Sequence, residues 1–126
     1  TLSNGVSAAI LAWGATLQSL RSPDRHGHFD SVVLGYTRLD DYRQAGGRLG
    51  ATMGRYANRI ENGRFQLDGR WHQVDLNEGS HAIHGGPEGF DRRLWQVAAV
   101  ADTPDHPEVL LRLESPDGDQ GFPGRL

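Results

Sequence analysis

Short apolar runs alternate with polar, glycine-rich stretches along the whole chain, and no stretch sustains the 3.6-residue spacing of an amphipathic helix. Residues 6–13 (Val-Ser-Ala-Ala-Ile-Leu-Ala-Trp) and 15–20 (Ala-Thr-Leu-Gln-Ser-Leu) flank Gly14, which predicts two strands or one strand bent at the glycine. A dense turn signal follows at residues 22–27 (Ser-Pro-Asp-Arg-His-Gly), and residues 31–35 (Ser-Val-Val-Leu-Gly) read as a brief β-branched strand. Residues 36–48 are looser: Leu39, Tyr42 and Ala45 allow one helical turn that Gly46 and Gly47 end. In residues 64–76, Asp68-Gly69 between two runs predicts a hairpin with a type I′ turn. That turn pairs Leu67 with Arg70 and Phe65 with His72, and so sets Phe65, Leu67, His72, Val74 and Leu76 on one face, the expected core face. Residues 94–100 and 108–114 are two further strands, and residues 115–124 form a long turn. Short strands, glycine turns and no internal repeat predict an all-β chain, an antiparallel sandwich.

Composition narrows the functional classes. With 126 residues, there is room for a single domain or part of one, and residues 1–126 are read as one partial domain. A hydrophobic fraction of 37%, 23% charged residues and a mean hydropathy of -0.57 describe a soluble globular protein. The net charge of -3 argues against a nucleic-acid partner, which demands a basic patch. No apolar run approaches the roughly 18 residues of a membrane-spanning helix, and no signal peptide is recognisable, so neither a membrane partner nor export is expected. The absence of cysteine excludes disulfides, thiolate catalysis and cysteine-based zinc sites and is compatible with the expected cytoplasmic location. Every basic residue is arginine, and those at Arg92 and Arg93 read as ordinary surface side chains.

Two polar loops carry the candidate chemistry. Residues 50–65 hold Asn58 and Arg59 between glycines, and residues 77–91 hold His81 and His84 among Gly79, Gly85, Gly86 and Pro87. His81 and His84 have His-x-x-His spacing, but the segment is not helical, so no metal site is expected. His26 and His28 read as solvated turn histidines. No nucleophile elbow, Walker A motif or dinucleotide fingerprint is present, which removes the main supports for hydrolase and nucleotide readings. What remains is His84 on one loop and Asn58 with Arg59 on the other, separated by a hairpin able to set the loops side by side. Arginine and asparagine can bind hydroxyls, and histidine can exchange hydrogen bonds with an oxygen that changes charge, which suits a sugar. Trp13, Trp71 and Trp95 read first as core residues and second as an aromatic face for a pyranose.

Five ordered segments carry a family resemblance: Trp-Gly-Ala-Thr-Leu-Gln-Ser-Leu at 13–20, Gly-Ala-Thr-Met-Gly-Arg-Tyr-Ala-Asn-Arg-Ile at 50–60, Asn-Gly-Arg-Phe-Gln-Leu-Asp-Gly at 62–69, Ile-His-Gly-Gly-Pro-Glu-Gly-Phe-Asp at 83–91 and Ser-Pro-Asp-Gly-Asp-Gln-Gly-Phe-Pro-Gly at 115–124. Together the chain resembles the N-terminal part of the galactose mutarotase (aldose 1-epimerase) family. The resemblance implies a large antiparallel supersandwich that interconverts the α and β anomers of aldoses such as galactose and glucose without metal or cofactor. It also implies that Asn58 and Arg59 bind the sugar and that His84 is the active-site histidine near the ring oxygen. In this family a glutamate takes the proton of the anomeric hydroxyl while a second histidine protonates the ring oxygen. That histidine, a binding aspartate and the glutamate are expected beyond Leu126, and none of Glu61, Glu78 or Glu88 matches the family's base. A fragment of a longer enzyme, itself inactive, is therefore expected. Two other readings stay open: a non-catalytic carbohydrate-binding module, and a related enzyme acting on sugar phosphates with arginines as phosphate ligands.

Overall fold

The computed structural model describes residues 1–44 and 48–126, so Ala45, Gly46 and Gly47, expected to close the helical turn, lie outside the described residues. In chain order the elements are β1 (Ser7–Leu11), β2 (Thr16–Pro23), β3 (Phe29–Ser31), α1 (Leu39–Gln44), β4 (Arg59–Ile60), β5 (Arg64–Leu67), β6 (Arg70–Gln73), β7 (Ala82–Ile83), β8 (Gln96–Ala101) and β9 (Glu108–Arg112). Every strand pair is antiparallel. No helix among the described residues is long and apolar enough to cross a membrane.

The chain divides into two compact units, the first comprising residues 1–52 and 94–112, the second residues 53–93 and 113–126. In the first, β1, β2 and β3 form one sheet in that order, with a register shift between Ala9 and Ile10. The chain reverses after β1, and there the buried Thr16 donates its hydroxyl to the Trp13 carbonyl at 2.7 Å. That reversal makes two strands of residues 7–23 where one bent strand was the alternative. β3 begins two residues earlier than the β-branched run suggests. The Asp24 carboxylate accepts the amides of His26 and His28, so the turn closes sooner, and Val32 and Leu34 are left exposed. α1 carries Asp40 and Asp41 in its first turn, and the hydroxyl of its buried Tyr42 accepts the Tyr36 amide at 2.8 Å. β8 and β9 pair with a shift between Val97 and Ala99, and β8 is exposed along its length.

The second unit is built on shorter ladders. β5 pairs with β6 in the register Phe65 to His72 and Leu67 to Arg70, around a turn with positive φ at Asp68 and Gly69. Val74, Ala82 and Phe122 form its core, with Ile60 and Phe65 against them. His72 is half-buried and stacks on Phe65, with ring centroids 5.4 Å apart. The expected core face is only partly buried: Leu67, at the hairpin tip beyond the core that Val74 enters, is 49% exposed, and Leu76, past the end of β6, is 45% exposed. Trp71, read first as core, is 62% exposed and lies under the Arg64 guanidinium instead.

Candidate sugar site

Both polar loops contain a two-residue strand too short for any alternation to betray. β4 and β7 pair with Arg59 opposite Ile83 and Ile60 opposite Ala82. One step further along, Asn58 and His84 face one another and exchange two bonds: the His84 amide donates to the Asn58 carbonyl at 3.0 Å, and the Asn58 amide donates to His84 Nδ1 at 3.0 Å. Both residues sit in the left-handed region, with φ of 69° and 54°. For non-glycine residues this is uncommon backbone that asparagine and histidine tolerate better than most. The consequence is chemical. Because Nδ1 is an acceptor, the neutral imidazole carries its proton on Nε2, which makes that nitrogen a hydrogen-bond donor.

At the other end of the same ladder the motif repeats. The Asn62 amide donates to His81 Nδ1 at 3.1 Å, with Asn62 also at positive φ. His81 and His84 thus use Nδ1 on separate backbone donors, and among the described residues no group of three His, Asp or Glu side chains is placed to hold a metal. Asn77 brackets β7: its Oδ1 accepts the Ile83 amide at 2.7 Å and its Nδ2 donates to the Ile83 carbonyl at 2.9 Å.

Arg59 extends from β4 to Glu78. Its Nε donates to Glu78 Oε2, its Nη2 donates to Oε1 at 2.7 Å, and its Nη1 reaches Asn58 Oδ1 at 3.4 Å. These hydrogen bonds hold the Glu78 carboxyl below the usual carboxylate range and raise Arg59 above its ordinary value. Arg59 also lines an open cleft of about 460 Å³ with Tyr56, Ile60, Phe65 and Phe122. Polar groups around an aromatic floor suit the two faces of a pyranose. Its aromatic lining is Tyr56, Phe65 and Phe122, and none of Trp13, Trp71 and Trp95 lines it. His84 is not among the residues lining this cleft.

A second network fixes the loop that follows His84, and sequence reasoning missed it. Arg93, read as a surface side chain, forks onto Asp119 with Nη1 to Oδ2 at 2.7 Å and Nη2 to Oδ1 at 2.6 Å, while its Nε donates to the Glu88 carbonyl at 2.8 Å. Ser115 donates its hydroxyl to the same carboxylate. Arg93 first, then Ser115, holds Asp119 below the usual range against the opposing effect of burial. Arg55 donates to Ser115 Oγ and to the carbonyls of Ser115, Pro116, Pro123 and Gly124, at 2.6 to 3.1 Å. Gln120 Oε1 accepts the Glu88 amide at 2.9 Å. The available signal was an arginine beside a glycine-rich segment and an aspartate in a turn, which names no pairing across 26 or 60 positions.

Antiparallel sheets with a short ladder that sets Asn58 against His84 and carries Arg59 beside them define a β-fold protein with a polar loop cluster. The comparisons specify the class. The profile of the aldose 1-epimerase family matches residues 1–126, and the chain belongs to that family. It is 44% identical over 122 residues to an aldose 1-epimerase of Escherichia coli K12, a match covering 97% of this chain and 34% of that protein. It is 40% identical over 117 residues to a galactose mutarotase of Bos taurus, covering 93% and 33%. The crystal structure of an aldose epimerase homologue from C. elegans superposes with a TM-score of 0.87 at 35% identity, over 99% of this chain and 37% of that one. The fold is therefore the antiparallel β-fold of these epimerases, and the chain spans about a third of the length of the relatives it matches.

Proposed function

We propose that the protein to which this chain belongs is an aldose 1-epimerase acting on free aldohexoses such as galactose and glucose, and that residues 1–126 are one partial domain supplying part of its sugar site. The observation that carries this reading is the reciprocal bonding of Asn58 and His84 beside Arg59. With Nδ1 accepting, the neutral His84 ring carries its N–H on Nε2, a hydrogen-bond donor of the kind a sugar oxygen accepts, on the ladder that also carries Asn58 and Arg59, side chains suited to neighbouring hydroxyls. In the reaction, a base removes the proton of the anomeric hydroxyl and an acid protonates the ring oxygen, whose bond to C1 breaks. The open-chain aldehyde turns about C1–C2, and the reverse transfers close the ring on its other face. His84 stabilises the ring oxygen as charge develops there. The base and the proton-donating histidine belong to the part of the family's length that this chain does not span. The exposure of β8 and of Leu94, Val97 and Val100 suits a chain that completes its packing in a longer protein.

Free sugars are favoured over sugar phosphates because the nearby arginines are already engaged: Arg59 with Glu78, Arg93 with Asp119 and Arg55 with loop carbonyls. Polarimetry of freshly dissolved α-D-galactose, α-D-glucose and galactose 6-phosphate with the full-length protein tests the reading. It predicts acceleration for the free sugars, the phosphate being the poorer substrate, and no rate above buffer for the 126-residue chain alone. A full-length protein that binds galactose calorimetrically yet leaves mutarotation at the buffer rate is a binding module instead.

A further inference from the structure

Arg59 is a long, half-exposed side chain, which loses considerable rotamer freedom whenever it is ordered. Glu78 orders it in advance. The carboxylate occupies the side-on fork of the guanidinium, formed by Nε and Nη2, and Nη1 leans on Asn58 Oδ1. A guanidinium has about five N–H donors, and these contacts use three. The remaining two lie one on Nη1 and one on Nη2, the nitrogens of the end-on fork, and two donors on adjacent nitrogens suit two neighbouring hydroxyls. Glu78 is itself held by a tight reversal in which Glu78 and His81 exchange amide-to-carbonyl bonds at 3.0 Å in both directions. The His81 ring then takes the Asn62 amide, which ties this reversal to the ladder that carries Arg59.

We propose that Glu78 is a positioning residue: it aims the end-on fork of Arg59 at the sugar and cancels its charge, so that Arg59 serves neutral hydroxyls instead of collecting anions. The proposal rests on the aldose-epimerase reading and deepens it by making an uncharged sugar the class of ligand that Arg59 selects. A phosphate arriving at that fork meets the carboxylate close behind it, whereas a hydroxyl pair meets two aligned donors.

The test uses Glu78→Gln and Glu78→Ala in the full-length protein, assayed by polarimetry with galactose at increasing inorganic phosphate. KM rises about tenfold in both variants while kcat stays within about twofold, the pattern of lost substrate binding. Inorganic phosphate, inert toward the parent, becomes a competitive inhibitor of both variants, an effect that a merely structural role for Glu78 does not produce. Glu78→Gln keeps the size of the side chain, and should Glu78→Ala not fold it decides the matter by the same two readouts. Unchanged KM together with no phosphate inhibition overturns the proposal. Failure of the unmodified protein to accelerate mutarotation contradicts the functional reading instead, and so the two are told apart.

Discussion

In residues 1–52 and 94–112 order comes from backbone ladders: β1 and β2 pair over five positions, and β8 with β9 over another five. In residues 53–93 and 113–126 the ladders shrink to two and four pairs, and side chains take over, reaching backbone and carboxylate partners far along the sequence. Arg55 alone holds five acceptors in the loop at 115–124. The contrast is instructive because Asn58, Arg59 and His84 all lie in the second unit. Ladders are tolerant of side-chain identity on their exposed face, whereas a frame of specific side chains fixes atoms closely and fails when one member is lost.

That difference can be broken most severely at Gly85. A Cβ there would stand 1.8 Å from the Gly54 carbonyl oxygen, a backbone atom that cannot turn aside, and φ is +88°. Gly85→Ala is expected to lower stability by at least about 4 kcal/mol in urea unfolding of the full-length protein, or to prevent folding. Arg93→Ala is next. It leaves the largely buried Asp119 carboxylate without its fork, at a cost of about 2 kcal/mol in the same assay.

Acid sharpens the same point more gently. The folded Asp119 carboxyl titrates below its unfolded value, so its contribution is complete above about pH 4 and is lost as pH falls through the lowered folded value. Asp119→Asn should therefore flatten the fall of stability below about pH 4, and a stability profile as steep as the parent's there would contradict this linkage. The smallest effect belongs to the first unit. Gly27 has φ of +84° but nothing within 4 Å of an added Cβ, so Gly27→Ala is expected to cost only the backbone strain, about 1 kcal/mol.

The two units were also unequally legible. Alternating apolar positions and the Asp68-Gly69 turn locate β1, β2, β5, β6, β8 and β9, and the hairpin register follows from turn length alone. β4 and β7 could not be read this way, since two residues contain no period, and both lie in segments whose glycines speak for loops. The candidates Asn58, Arg59 and His84 stood out by residue type and family likeness, but the ladder that sets Asn58 against His84 is a tertiary fact. The partners of Glu78, Arg55, Arg93 and Asp119 were illegible for the same reason: in sequence Glu78 is weighed only as a base and Arg93 reads only as a surface side chain, and spacing indicates none of the pairings.

The central claim is that the β4–β7 ladder presents His84 to the sugar, and mutarotation by a full-length His84→Ala variant tests it most directly. Since His84 lends a ring nitrogen to the Asn58 amide, circular dichroism and urea unfolding should first establish that the variant is folded. With the fold retained, polarimetry on α-D-galactose is predicted to show a loss of about a hundredfold or more in kcat/KM. A folded variant that mutarotates galactose at the parent rate would contradict the claim.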